Sequence, residues 1–404
     1  MKIRSITCFI SPEIHHPAGS LATAGKFLSR ARAAFESGGY EVQTVRAASQ
    51  PFPHLLPELA ENALVQLARD LEHAASEQGI NYLSLGPALP EFPTSYALIP
   101  AVLAETHNVF LSGLLTTSQR EVSLQAVQAC GAIIEAAAGI EADGFANLRF
   151  AALANVPPGA PFFPAAYHTG EAPAFSLACE AADLAVEAFS QADSLATARQ
   201  GLVERMERHA QALTRIATRL ADEYQVTFGG LDLTPAPFPE PDRSLGTALE
   251  KLGVPVLGQS GSLAAAAILA ATLDQATFSR CGFNGLMLPL LEDALLARRA
   301  TEGSLTLKDL LLYSSVCGTG LDTIPLPGSA TAPQLSAVLL DVAALAQRLD
   351  KPLTARLMPI PGKQAGDPTG FDFAFFANSR VLVLDAAPLT GFLGRTENFN
   401  LQPR

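Results

Sequence analysis

Residues 21–45 read LATAGKFLSRARAAFESGGYEVQTV, a helix, a stop and a strand in direct succession. The helix spans residues 21–36, and Gly38-Gly39 suit a left-handed cap. Tyr40 and Val42 then alternate with Glu41 and Gln43, as in a half-buried strand over 40–45. The same rhythm repeats outward. Residues 3–10 form a strand before this unit, and helical patterns at 59–75, 96–105 and 121–137 fall between strands at 82–85, 109–111 and 150–155. The spacing then predicts long helices over 175–189 and 195–223, a strand over 225–233, helices over 245–252 and 262–273, and a strand over 285–289. Helices over 291–299, 307–313 and 333–349 and strands over 354–359 and 380–384 complete the series. Strands alternating with helices of ten or more residues imply βαβ units. The expected fold is α/β: a barrel-like, mainly parallel sheet of nine or ten strands surrounded by helices, in one domain over residues 1–404. The helices spanning 175–223 are long for crossovers and read as a helical insertion or an oligomer face.

The chain has 404 residues, 49% hydrophobic and only 16% charged, against about 25% charged in an ordinary soluble domain. So little charge means an unusual share of buried surface, part of it in an oligomer. A net charge of −12, with Lys and Arg scattered, repels phosphate backbones and argues against nucleic-acid binding. Cys8, Cys130, Cys179, Cys281 and Cys317 are odd in number and widely spaced, which reads as reduced thiols. Met1-Lys2-Ile3-Arg4 leads into a short alternating stretch without the apolar core of a signal peptide. The longest near-apolar run, residues 263–273, falls short of the roughly 20 residues a bilayer crossing needs. A cytoplasmic protein is expected.

In a parallel α/β sheet, ligands bind at the carboxyl ends of the strands, so the loops there are the candidate site, gathered on one rim. The loop over 156–171, VPPGAPFFPAAYHTGE, is aromatic and stiffened by prolines. Its His168 is placed for proton transfer with Glu171 to orient it; the alternative is a satisfied Tyr167–His168 pair beneath a structural loop. Gly229-Gly230-Leu231-Asp232 allows close backbone approach and points Asp232 at the site, or else Asp232 is a turn carboxylate satisfied by backbone N–H groups. Glu292 and Asp293 open a helix, where capping explains acidic residues without chemistry. With Asp232 they also make an oxygen set for a divalent cation. Ser314-Ser315-Val316-Cys317-Gly318-Thr319-Gly320-Leu321-Asp322 is a dense small-residue turn that leaves room around the thiol. Lys363, between glycines in MPIPGKQAGD, suits a carboxylate or phosphate, or is simply a solvated lysine. Glu180, Asp183 and Glu187 read as a solvated helix face, and His15, His16, His54 and His73 lack metal-ligand spacing. No GxGxxG after a strand, GxSxG or HExxH motif occurs.

The stretches PGAPFFPAAYHTGE (158–171), GGLDLTPAPFP (229–239), LEDALLARRA (291–300) and LLLYSSVCGTGLDTIPLPG (310–328) resemble an uncharacterised family, domain of unknown function number 711. The N-terminal strand and MPIPGKQAGD (358–367) are similar too, so the resemblance covers nearly the whole chain. It implies a barrel like that of the pyruvate formate-lyase group, with about ten strands, usually as a homodimer, and a small amino-acid-sensing regulatory protein as partner. A glycyl radical is not expected, because Ser379-Arg380-Val381-Leu382-Val383 has Val383 where such enzymes need glycine.

The leading expectation is a small-metabolite enzyme or ligand-binding protein. His168, Cys317 and Glu292 are its candidate catalytic residues, with Asp232, Gly318, Gly320, Asp322 and Lys363 for ligand binding. Asp232, Glu292 and Asp293 are the candidate metal ligands, for a divalent cation. The alternatives are a regulatory or scaffold homodimer and a metal-dependent hydrolase or lyase.

Overall fold

The computed structural model describes residues 1–12, 17–170 and 172–403; His15, His16 and Glu171 lie outside the described residues. In chain order the elements are β1 (Lys2–Phe9), α1 (Pro17–Ser37), β2 (Val42–Ala48), α2 (Glu61–Glu77), β3 (Tyr82–Ala88), α3 (Ile99–Glu105), β4 (Val109–Leu114), β5 (Val122–Ser123), α4 (Leu124–Ala138) and β6 (Phe150–Ala154). There follow β7 (Ala174–Glu180), α5 (Ala182–Gln191), α6 (Leu195–Tyr224), β8 (Thr227–Ala236), α7 (Leu245–Lys251), α8 (Ser262–Leu273), α9 (Ala294–Glu302) and α10 (Leu307–Tyr313). The chain ends with β9 (Gly320–Pro327), α11 (Ala332–Arg348), β10 (Leu353–Ile360) and β11 (Asn398–Phe399).

Nine strands form one sheet in the order β8-β7-β1-β2-β3-β4-β6-β10-β9, and β11 pairs with β5 apart from it. Helices cover the outer face. On α1, Leu21, Ala24, Phe27, Leu28, Ala31 and Phe35 recur at spacings of three and four and are all buried, each large one worth roughly 1.5–3 kcal/mol.

Strand direction is the feature that most changes the expected site. The block β1-β2-β3-β4-β6 is parallel throughout. β7 runs antiparallel to β1 and β10 antiparallel to β6, while β8 and β9 follow their respective neighbours. Five strands thus point one way and four the other, so the carboxyl ends lie at opposite ends of the sheet. The expected single rim of strand-end loops is corrected accordingly. One end, here the upper, carries the carboxyl ends of the central five strands and the amino ends of the flanking four. The lower end carries the reverse.

Two expected strands are absent from the sheet and two unexpected ones are present. Residues 285–289 make only an isolated bridge, Pro289 to Asp322, and residues 380–384 likewise only Arg380 to Pro368. Among the described residues the sheet has nine strands rather than ten and does not close, although residues 280–289 also bridge Leu231 of β8 through Arg280. β7, AFSLACE, fell inside the helix expected over 175–189, because alanines favour helix until burial between two strands overrides propensity. β9, GLDTIPLP, was hidden by its glycine and prolines. It lies at the sheet edge, where Pro325 and Pro327 need not donate to a further neighbour.

Candidate functional site

The proline-rich loop after β6 enters the concave face of the sheet. Ser5 Oγ and Thr7 Oγ1 of β1 donate to Pro161 O at 3.2 and 3.0 Å, and Ser84 Oγ of β3 donates to Ala166 O at 2.7 Å. Phe163 packs with Phe9, Ala48 and Phe110, while Phe162 packs with Ala178, Ala236 and Met287. Strand hydroxyls that would be orphaned inside are thereby satisfied by the carbonyls of the loop. The loop is a plug inserted from the upper end.

Below its tip lies a chamber of about 80 Å³. Phe162 and Phe163 form its roof, and Phe373 and Phe375, from the loop after β10, line the side facing the lower end. Arg4 of β1, Arg46 of β2, Arg356 of β10, Asp322 of β9 and Glu292 line the space between. Arg356 donates from Nε to Asp322 Oδ1 at 2.5 Å and from Nη2 to Glu292 Oε1 at 2.8 Å. Arg4 pairs with Glu292 Oε2, lies 3.6 Å from Glu180 Oε2, and stacks over Phe375 at 5.1 Å. Burial opposes the charge of Arg356, but Asp322 and Glu292 hold its guanidinium above the usual range.

Arg46 differs. Its Nε donates to Thr44 Oγ1 at 2.9 Å, and the guanidinium sits over the rings of Phe163 and Tyr82 at 5.0 and 5.5 Å. No carboxylate forms an ion pair with it among the described residues. Burial, and then the neighbouring Arg4, push its guanidinium below the usual range.

The sequence candidates divide among several places. Glu292 and Asp322 meet in the chamber. Asp232 does not line it; it accepts from Thr234 N and Oγ1, Phe283 N and Asn284 N at 2.6–3.0 Å, the turn reading of this residue. Asp293 accepts from Leu295 N and Leu296 N of α9, and from Ser244 Oγ, Leu245 N and Gly246 N at the start of α7. It caps two helices at once. Asp232, Glu292 and Asp293 therefore each answer to different partners, and no three His, Cys, Asp or Glu side chains converge as metal ligands among the described residues.

His168 is buried at the upper end, its backbone N–H donating to Ser49 O at 2.9 Å, and lines a cavity of about 640 Å³ with Cys281, Arg280 and Phe283. Cys317 does not line that cavity; it is buried ahead of β9, and its carbonyl accepts from Lys351 Nζ at 2.5 Å. Imidazole and thiol thus do not meet in that cavity. The Gly320 φ of +94° and its approach to Thr354, where a Cβ would stand 2.2 Å from the carbonyl oxygen, give it a packing role; Gly318 likewise packs on Gly285. Lys363 stands half-exposed in the turn after β10, its backbone bonded to Ile360 and Gly328. Burial pushes the Cys8 thiol up to about 12, and raises those of Cys130 and Cys179 further.

Arg4, Arg46, Arg356 and Glu180 went unrecognised in the sequence. Glu180, expected on a solvated helix face, ends β7, is 3% exposed, and accepts from Gln43 and Arg243. The available signal was an arginine inside each of three apolar strands: Ile3-Arg4-Ser5-Ile6, Val45-Arg46-Ala47 and Ala355-Arg356-Leu357.

Residues 1–374 match the model of a family described as uncharacterised ACR (DUF711). A UPF0210 protein of Pyrobaculum aerophilum is 32% identical, the match covering 91% of this chain and 87% of that protein. UPF0210 proteins of Halothermothrix orenii (29%; 98% and 93% covered) and Methanococcoides burtonii (29%; 82% and 77% covered) are also similar. No described helix is long and apolar enough to cross a membrane.

Proposed function

The chain belongs to that uncharacterised family, and from this premise we propose that it is a cytoplasmic small-metabolite enzyme or ligand-binding protein whose site is the chamber beneath the plug. The observation that carries the reading is free space lined by five charged side chains on the concave face of a sheet. Each buried ion costs several kcal/mol of desolvation, so a core serving stability alone would use apolar side chains. Aromatic residues above and below limit water, which strengthens polar contacts to a ligand. Glu292 and Asp322 are the groups positioned to exchange a proton with it, oriented by Arg4 and Arg356. In this reading, residues 280–289 act as a tenth strand that completes a barrel around the site, supported by their bridges to both sheet edges.

Thermal-shift measurement against a panel of small polar metabolites, with and without divalent cations, tests the proposal. At least one ligand at millimolar concentration is expected to stabilise the wild type and not Asp322→Asn. A panel without effect on the wild type argues against a binding chamber.

A second reading, a homodimeric regulatory protein, is favoured by Val383, Phe392 and Leu393, which are 67%, 74% and 47% exposed on the C-terminal tail. Light scattering that finds a dimer in the wild type and a monomer in Phe392→Ser would support it. A wild-type monomer would end it.

A further inference from the structure

We infer that the ligand of the chamber carries a carboxylate and that Arg46 binds it. The inference rests on the chamber being the site, and adds the chemical class of the occupant. Every other ionised group lining the chamber has a partner of opposite charge: Arg4 with Glu292, and Arg356 with Glu292 and Asp322. Arg46 has a neutral hydroxyl and two aromatic faces. Its side chain is over nine-tenths buried, and an arginine stays charged even there.

The position of the charge is set by local structure. Arg46 lies between Val45 and Ala47 of β2, both buried in the outer core, so the strand alternation turns Arg46 to the concave face. Thr44 Oγ1 accepts from its Nε while donating to Arg4 O at 2.8 Å, which fixes the near edge of the guanidinium. The Phe163 and Tyr82 rings lie against its face. That leaves the Nη edge for a ligand. A planar fork held in this way matches a planar carboxylate, which accepts two parallel N–H bonds. Arg4 Nη1, buried and without a hydrogen bond, is a further donor beside the same space. The small volume, about 80 Å³, selects a compact acid or the acid end of a longer one that leaves past Phe373 and Phe375.

The test uses acetate, its neutral isostere acetamide, and inorganic phosphate, each at constant ionic strength. They are added to the wild-type chain, to Arg46→Met, and to Arg219→Met, which removes the same charge from an exposed helix face. Acetate is expected to raise the melting temperature of the wild type and Arg219→Met by about 2 °C or more at saturation, with no rise in Arg46→Met and none from acetamide. Without added acid, Arg46→Met is expected to melt no lower than the wild type, because it removes a buried charge that lacks a counter-charge.

Equal stabilisation by acetate and acetamide, retained in Arg46→Met, would overturn the carboxylate inference while leaving the chamber as a ligand site. Phosphate acting where acetate does not would overturn the carboxylate assignment. No effect of any probe on the wild type would overturn both this inference and the reading beneath it. Should Arg46→Met fail to fold, a wild-type crystal soaked in bromide gives the second measurement. Anomalous signal beside Arg46 supports the inference, and signal confined to the outer surface contradicts it.

Discussion

Two regions of this molecule bury carboxylates, and they satisfy them in opposite ways. Asp232 and Asp293 accept from main-chain N–H groups and hydroxyls, donors fixed by the fold and adjacent to no free space of the chamber. Glu292 and Asp322 accept from guanidiniums that border open volume. Neutral, short-range donors organise turns and helix starts. Charged donors on long side chains leave a polar surface that an incoming molecule can share. Adjacent residues Glu292 and Asp293 fall on different sides of this divide, so residue type alone does not separate scaffold from site.

The contrast is most severely tested at Arg356. Arg356→Met strands the buried Asp322 carboxylate, leaves Glu292 with Arg4 alone, and is expected to cost about 3–5 kcal/mol in urea unfolding. Adding Asp322→Asn to that variant should recover most of the loss. Failure to recover would mean that the chamber charges are not a mutually dependent set. Next comes Asp293→Ala, which uncaps α9 and leaves the start of α7 without its acceptor, with an expected loss of about 2–4 kcal/mol. Here no second substitution in the chamber should compensate. If one does, the two regions are coupled and the division is wrong.

The smallest effects are pH-dependent and of opposite sign. Burial raises the Asp232 carboxyl above its ordinary range despite hydrogen bonds from Thr234, Phe283 and Asn284. The stability linked to its proton is complete below about pH 4 and is lost as pH rises through the raised value. At the surface, burial opposes but Arg299 and the Leu257 N–H hold Glu250 below the usual carboxylate range. Its contribution is present above about pH 4 and is lost as pH falls through the depressed value. Unfolding profiles over roughly pH 3–7 should flatten at the upper side in Asp232→Asn and at the lower side in Glu250→Gln. Matching changes in both variants would refute the assignment of signs.

Much of the scaffold was legible. The unit at residues 21–45 became α1 and β2, and the helices before β4, β6 and β10 fall near their expected places. Direction was not legible, because periodicity reports which face of a strand is buried and says nothing about which way its neighbour runs. The same limit hid the site. Rules for parallel sheets directed attention to turns such as 314–322, which supplied Asp322, whereas the three arginines of the chamber come from strand interiors. Glu180 shows the failure at one residue: helical spacing placed it with Asp183 and Glu187, and the strand in fact turns it toward Gln43, Arg4 and Arg243. An arginine in the middle of an apolar strand was the readable clue.

The plug has a consequence for how the chain reaches this state. Ser5 meets the carbonyl of Pro161 across 156 residues, and Ser84 meets Ala166 across 82. During synthesis β1 to β4 therefore emerge with hydroxyls and apolar side chains facing an interior whose filler has not yet left the ribosome. Such distant closures slow folding. The sheet can close over a filled interior only once the proline-rich segment has arrived.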